Sequence, residues 1–154
     1  MSSADMPEPV AKRLGYALKR AQHALRMSMD KALRPLTLTT PQYAVLCAIE
    51  ADPGISNARL ARAAFVTAQT MQAVLSNLER DKLLKRRPDP THGRILRSEL
   101  TIQGRHLLAR AHTAVRVVED RMVASFGEQG AVKIAMSLTK CAVDLMETLE
   151  ATAA

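Results

Sequence analysis

The chain has 154 residues, of which 47% are hydrophobic and only 3% aromatic, with no Trp. That suits one domain whose core is built from Leu, Val, Ile, Met and Ala, and such residues favour an α-rich fold. The net charge of +7 and pI near 9.9 point to an acidic partner, while no apolar run approaches the ~18 residues that span a bilayer.

The start, MSSADMPEP, lacks the basic-then-apolar pattern of a secretion signal, and Cys47 and Cys141 give no disulfide framework, so a reducing cytoplasm is the expected compartment and no membrane partner is expected. Residues 1–7 read as a disordered lead, with Pro7 and Pro9 suited to a helix start. A long helix is predicted from Glu8 to about Leu33, because Val10, Leu14, Leu18, Ala21, Leu25 and Met29 recur every three or four residues. Pro35 ends it. Thr40 reads as the N-cap of a short apolar helix reaching about Ala51, with Pro41 in its first position. Asp52-Pro53-Gly54 is a turn.

Two capped helices come next. Ser56 and Thr67 are the N-caps, and the pairs Ile55/Leu60 and Val66/Met71 fit hydrophobic staples. Ala63-Ala64-Phe65-Val66 joins them into a helix-turn-helix. In the second helix, from about Thr67 to Asp81, Met71, Val74, Leu75 and Leu78 form one apolar stripe. The opposite face carries Gln69, Gln72, Ala73, Ser76 and Arg80, with Thr70 and Asn77 on its flank. That face is small, neutral and able both to donate and to accept hydrogen bonds, which suits base edges in a DNA major groove. Gln69, Thr70 and Gln72 are the base-reading candidates, and Ala73 could meet a thymine methyl. Thr67, Ser56 and Asn57 stand at helix starts whose free N–H groups could hold phosphate.

Leu83 to Arg87 and Ile95 to Glu99 are predicted strands around the loop Pro88-Asp89-Pro90-Thr91-His92-Gly93, with Leu96, Ser98 and Leu100 sharing one face of the second. From Arg80 to Arg97 there are seven basic residues, Arg80, Lys82, Lys85, Arg86, Arg87, Arg94 and Arg97, opposed only by Asp81 and Asp89. Such a run is often only a solvated face. Beside a groove-reading helix it suits phosphate contact, with Arg86 and Arg97 among the candidates and Arg94 near the tip aimed at the minor groove. His92 is either a pH-dependent phosphate contact or a simple loop histidine. Thr101 caps a long helix to about Phe126, Gly127 is a stop, and a last helix runs from about Glu128 to Leu149. The apolar faces of the outer helices exceed what one small core can cover, so Val10 to Leu33 and Val132 to Leu149 read as a dimer interface; a monomer with internally packed helices is the alternative.

The order of a long helix, TPQYAVLCAIE, SNARLARAAFVTAQTMQAVLSNLERDKLLKRR, a hairpin, then ELTIQG and a long helix resembles the MarR family of winged helix-turn-helix regulators over nearly the whole chain. The expected fold is mainly α with a small β-hairpin wing. One domain spans residues 1–154: dimerisation helices at 8–35 and 127–150, a DNA-binding lobe at 40–101 and a connecting helix at 102–126. The resemblance implies a homodimer on a pseudo-palindromic double-stranded operator, repressing nearby genes and released by a small phenolic or other aromatic effector bound between the dimer helices and the DNA-binding lobe. Tyr16, His23, Tyr43 and His106 are the candidate lining residues. The family's wing carries Asp-x-Arg ahead of Leu-Thr. Arg94 matches the arginine, but His92 stands where the aspartate would be, which leaves the wing without its usual aspartate–arginine contact. Lys82 stands where the family has Gly, and a left-handed backbone there would be strained.

Other chemistries are less well served. His23, His92, His106 and His112 are dispersed, and His106 and His112 are six apart rather than i, i+4, so no metal is expected. No cofactor is expected either. Cys47 lies among Val45, Leu46 and Ile49 and reads as an inert buried thiol, and Cys141 falls in the dimer region. A thiol-based redox-sensing regulator and a non-regulatory basic helical interaction module stand as alternatives. An enzyme would need a nucleophile–base pair, a phosphate loop or a metal cluster, and none is seen.

Overall fold

The computed structural model describes Val10 and residues 12–153. In chain order the elements are α1 (Leu14–Leu33), a 3-10 turn (Arg34–Leu36), α2 (Thr40–Ala51), α3 (Asn57–Ala63), α4 (Ala68–Arg80), β1 (Leu84–Pro88), β2 (Leu96–Leu100), α5 (Ile102–Phe126) and α6 (Glu128–Ala153). The mainly helical fold with one hairpin is the expected one.

Several boundaries differ from expectation. The first helix does not run unbroken from Glu8: Arg13 is extended (φ −73°, ψ 138°) and α1 begins at Leu14. Its expected start at residues 8 and 9, with Pro7, Pro9 and the predicted disordered lead, lies outside the described residues. The cap of α2 is Thr39, not Thr40. Counting from Thr39, the third helical residue is Gln42, whose Oε1 accepts from the Thr39 N–H (2.9 Å) while the Gln42 N–H donates to Thr39 Oγ1 (3.3 Å). Counted from Thr40, that position is Tyr43, which cannot close the box. The Thr40 hydroxyl donates instead to Asp30 Oδ1 at 2.7 Å and ties α2 to α1. α6 continues past Leu149 to Ala153, as an Ala-rich tail of good helix formers allows.

Both strands begin one residue later than predicted. Lys82 does adopt the left-handed conformation (φ 59°). Its N–H donates to Glu79 O (2.9 Å) and the Leu83 N–H to Leu78 O (2.9 Å). These two bonds form a Schellman motif that keeps Leu83 in the helix cap, with Leu78 and Leu83 both buried beneath it. Pairing therefore starts at Leu84↔Leu100 and ends at Pro88↔Leu96. Ser98 and Leu100 turn inward as expected, but Leu96 is exposed.

The chain divides into two units at Val115/Arg116, within α5. In the first, Leu33, Leu46, Ile49, Leu60, Leu75 and Leu108 are fully buried and hold the helix-turn-helix. Gly104, in the first turn of α5, lies so close to the residue ahead of β1 that a Cβ there would stand 1.9 Å from Leu83 O. Ahead of α3, the Gly54 N–H donates to Ser98 O (2.9 Å) and Ser56 bridges Arg97, which fixes the hairpin against the α3 N-terminus. In the second unit, residues 116–153, no described side chain is buried. Phe126, Val132, Met136, Leu145 and Leu149 are each more than half exposed there.

Candidate nucleic-acid interface

The α4 stripe packs inward as its spacing predicts: Met71, Leu75 and Leu78 are buried, with Val74 half-buried. Gln69, Thr70, Gln72, Ala73, Ser76 and Arg80 are all exposed. Thr67 caps the helix, its Oγ1 accepting from the Thr70 N–H at 3.1 Å. Ser56 caps α3 through the Arg59 N–H at 3.4 Å, and Leu60 is buried below it. Gln69 makes no hydrogen bond within the described residues, so both its donor and its acceptor are available for a bidentate contact with adenine. Gln72 is different. Its Oε1 accepts from Arg86 Nη1 (3.2 Å) and its amide N lies 3.5 Å from Ser76 Oγ. Each bond uses one site of the amide, so Gln72 keeps one Oε1 lone pair and one Nε2 hydrogen for a base edge, in an orientation set by Arg86 and Ser76.

The seven clustered basic residues separate into two kinds. Arg86 is only 13% exposed and reaches back to α4, donating from Nε (2.8 Å) and Nη2 (2.5 Å) to Glu79 Oε2 as well as from Nη1 to Gln72. Arg97 pairs through Nε with Asp89 Oδ2, and its side chain passes over Gly54, where φ is +90° and a Cβ would meet Nη1 at 3.3 Å. Arg86 is thereby turned back onto α4, whereas Arg97 braces the wing through Nε and leaves its side chain 51% exposed. Lys85 pairs with Glu99 (3.2 Å) and Arg80 with Asp81 (3.1 Å). Arg94, Arg87 and Lys82 are exposed and have no partner among the described residues. Arg94 thus stands as an unengaged cation beside Gly93 at the wing tip.

Asp89 organises that tip. It is buried, and its Oδ1 accepts from the Thr91 N–H (2.7 Å) and the His92 N–H (3.0 Å). The Thr91 amide above all, then the Arg97 guanidinium and the His92 amide, hold its carboxyl down at about 2. A cleft of about 390 Å³ lies between the α3 start, α4 and the wing, and Ser56, Asn57, Gln72, Arg86, Arg94 and Ser98 line it. Asn57 Oδ1 is buried there without a hydrogen-bond partner. The structure therefore brings Ser56, Asn57, Gln72, Arg86 and Arg94 around one hollow, with Thr67, Gln69, Thr70 and Ala73 on the exposed first turns of α4.

Residues 36–95 match the MarR family model. The chain is 41% identical over 111 residues to the HTH-type transcriptional repressor Rv2887 of Mycobacterium tuberculosis, an alignment covering 72% of this chain and 80% of the relative. The chain belongs to the MarR family. Among solved structures, the transcriptional repressor CouR bound to a 23-mer DNA duplex superposes with a TM-score of 0.83 at 31% identity, covering 88% of this chain and 96% of CouR. Rv2887 in complex with salicylic acid superposes with a TM-score of 0.67 at 36% identity, over 90% and 98% of the two chains. The wing of this MarR-family chain departs from the expected pattern at His92 without losing its carboxylate–arginine contact, because Asp89 and Arg97 supply it. His92 itself is exposed. The signal for Asp89 was present in Asp89-Pro90-Thr91, since an aspartate that accepts from the amide two residues on is an Asx turn.

The four effector candidates lie on α1, α2 and α5. Tyr16 is half-buried on α1, and His23 and His106 are exposed on α1 and α5. Tyr43 is engaged on α2: its hydroxyl lies 2.9 Å from His112 Nδ1, the rings meet edge-on at 5.6 Å, and His112 Nε2 lies 3.0 Å from Glu50 Oε2. His112, weighed in the sequence only as a metal ligand, is the histidine that links α2 to α5. A second cleft, of about 550 Å³, is lined by Ile49, Glu50, Lys85, Leu100, Ile102 and Arg105 and includes none of the four candidates. Cys47 is half-buried; burial pushes its thiol up, with a hydrogen bond from Tyr43 acting in the opposite direction. Cys141 is also free and half-buried. Among the described residues no group of three or more His, Cys, Asp and Glu is placed to hold a metal, and no helix is long and apolar enough to cross a membrane.

Proposed function

We propose that this chain is a homodimeric, sequence-specific DNA-binding repressor that an aromatic acid or its thioester releases from its operator. The observation that carries the reading is the exposed, neutral first half of α4, held by Arg86 beside the free Arg94 of the wing. Each α4 reads one half-site in the major groove through Gln69, Thr70, Gln72 and Ala73, while Arg94 enters the adjacent minor groove. Thr67, Ser56 and Asn57 set the register on phosphates. Arg86 and Arg97 act from behind, as holders of the helix and wing. Pairing through α1 and α6 is supported by exposed Leu14, Met27, Met136 and Leu145 and by the lack of any buried side chain among the described residues of 116–153.

The relatives support the effector class: CouR has been solved with DNA and with p-coumaroyl-CoA, and Rv2887 with DNA, with salicylic acid and with p-aminosalicylic acid. A ligand acts here by favouring a dimer state whose two α4 helices no longer match successive grooves. The protein is a regulator and not an enzyme, and it works in the cytoplasm where its operator lies. A thiol switch at Cys47 is disfavoured by the raised thiol pKa. The test is a gel shift with DNA from upstream of the coding sequence, titrated with salt and then with salicylate and p-coumaroyl-CoA. Steeply salt-dependent preference for an inverted repeat, relieved by one of these ligands, is expected. Equal binding to random duplex would overturn the reading.

A further inference from the structure

Between α3 and α4 the chain turns on Phe65, which has a φ of +54° and is 93% exposed. The turn is a second Schellman motif: the Phe65 N–H donates to Arg62 O (3.2 Å) and the Val66 N–H to Ala61 O (3.0 Å). That geometry demands a left-handed residue at 65 but has no use for a ring. Glycine meets the demand at no steric cost, whereas a bulky aromatic at positive φ is a conformational outlier. A phenyl ring left in water also forfeits the favourable burial of its apolar surface. Two penalties fall on one side chain, and no contact among the described residues offsets them.

Position supplies the reason. Phe65 stands two residues ahead of Thr67, the cap of the 13-residue α4, and just ahead of the exposed first turn that carries Gln69 and Thr70. Arg62, exposed and with no partner among the described residues, lies one helical turn earlier. Whatever α4 enters must come close to Phe65. We infer that the Phe65 ring packs flat on the deoxyribose carbons of the DNA strand at the rim of the groove that α4 reads, with Arg62 on the neighbouring phosphate. The contact is apolar and independent of sequence, and it sets the depth at which α4 sits. It rests on the DNA-reading function proposed above.

The experiment uses the full chain, a labelled duplex from upstream of its own coding sequence and a random duplex of equal length. Phe65→Gly is expected to leave the DNA-free melting temperature unchanged or raised, because strain is relieved, yet to weaken binding by about tenfold, the loss for half-burial of a phenyl ring. Phe65→Leu keeps part of the affinity. The salt dependence of binding stays as in the parent for both, since no phosphate contact is lost, whereas Arg62→Ala lowers the log–log slope by about one. If the parent prefers its upstream duplex and Phe65→Gly binds equally tightly, the inference fails while the DNA-reading function stands. A Phe65→Gly protein that melts lower as it loses affinity also overturns it, because the ring would then belong to the fold. If the parent shows no preference for the upstream duplex, both readings fall together.

Discussion

Replacing Arg86 by Ala separates a structural strut from a phosphate contact. Arg86 donates three hydrogen bonds, two to Glu79 (2.8 and 2.5 Å) and one to Gln72 (3.2 Å), from a side chain 13% exposed. A charged hydrogen bond contributes ~1.5–3 kcal/mol when shielded. Glu79 is 39% exposed, so solvent screening reduces this one to about 1.5 kcal/mol. For a chain of this length that lowers the melting temperature by about 3–6 °C. Freeing Gln72 adds the cost of ordering one flexible side chain on DNA, ~1 kcal/mol or roughly fivefold in affinity. The salt dependence of binding is unchanged, because no phosphate has lost its cation. Arg86→Lys separates the two roles further: it keeps the charge, but a single ammonium cannot span Glu79 and Gln72, so a strut fails where a phosphate contact would survive. Differential scanning fluorimetry and salt-titrated fluorescence anisotropy measure both quantities. An unchanged melting temperature together with a slope reduced by about one would refute the strut.

Arg94→Ala is expected to show the opposite signature: no change in melting temperature, and weaker operator binding with a salt slope lower by about 0.9; unchanged affinity at physiological salt removes Arg94 from the interface. Asp89→Asn loosens the wing at neutral pH. Because the folded carboxyl is held down at about 2, its ionised form stabilises the wing above the ordinary carboxylate range, and that contribution is lost as pH falls toward 2. The stability gap between parent and Asp89→Asn should therefore close with acid, and an NMR titration midpoint for Asp89 near 4 would contradict this. Gly104→Ala places a Cβ 1.9 Å from Leu83 O, a clash with backbone that no rotamer relieves, and a cost of about 3 kcal/mol is expected in chemical denaturation; an unchanged midpoint would mean α5 can shift freely from β1.

Periodic features were legible in the sequence, and contacts between charges were not. The Met71, Leu75, Leu78 stripe announces both the helix and its buried face, because the 3.6-residue repeat is local. Ser56 and Thr67 were readable as caps for the same reason. Two adjacent threonines compete for the cap of α2, and only the reach of Gln42 selects Thr39 over Thr40. The strands slipped by one residue because Leu83 is claimed by the cap that Lys82 closes. A count of seven basic residues does not say which are free. Arg86 answers Glu79 across the junction of helix and strand and is largely shielded, while Arg97 answers Asp89 across the wing and stays half exposed. Tyr43 and His112 lie 69 residues apart, and nothing in local spacing joins them. His92 misled in a further way: a missing aspartate at one position suggested a loose wing, although Asp89 already filled the role three residues earlier.

The central claim is that two α4 helices, one from each protomer, read two half-sites on the same side of the duplex. The most direct measurement is to footprint the upstream DNA, insert five base pairs between the protected half-sites, and measure affinity again. Half a helical turn places the second half-site on the opposite side of the DNA. The account predicts that binding falls to the level of a random duplex. Affinity that is unchanged by the insertion would contradict it.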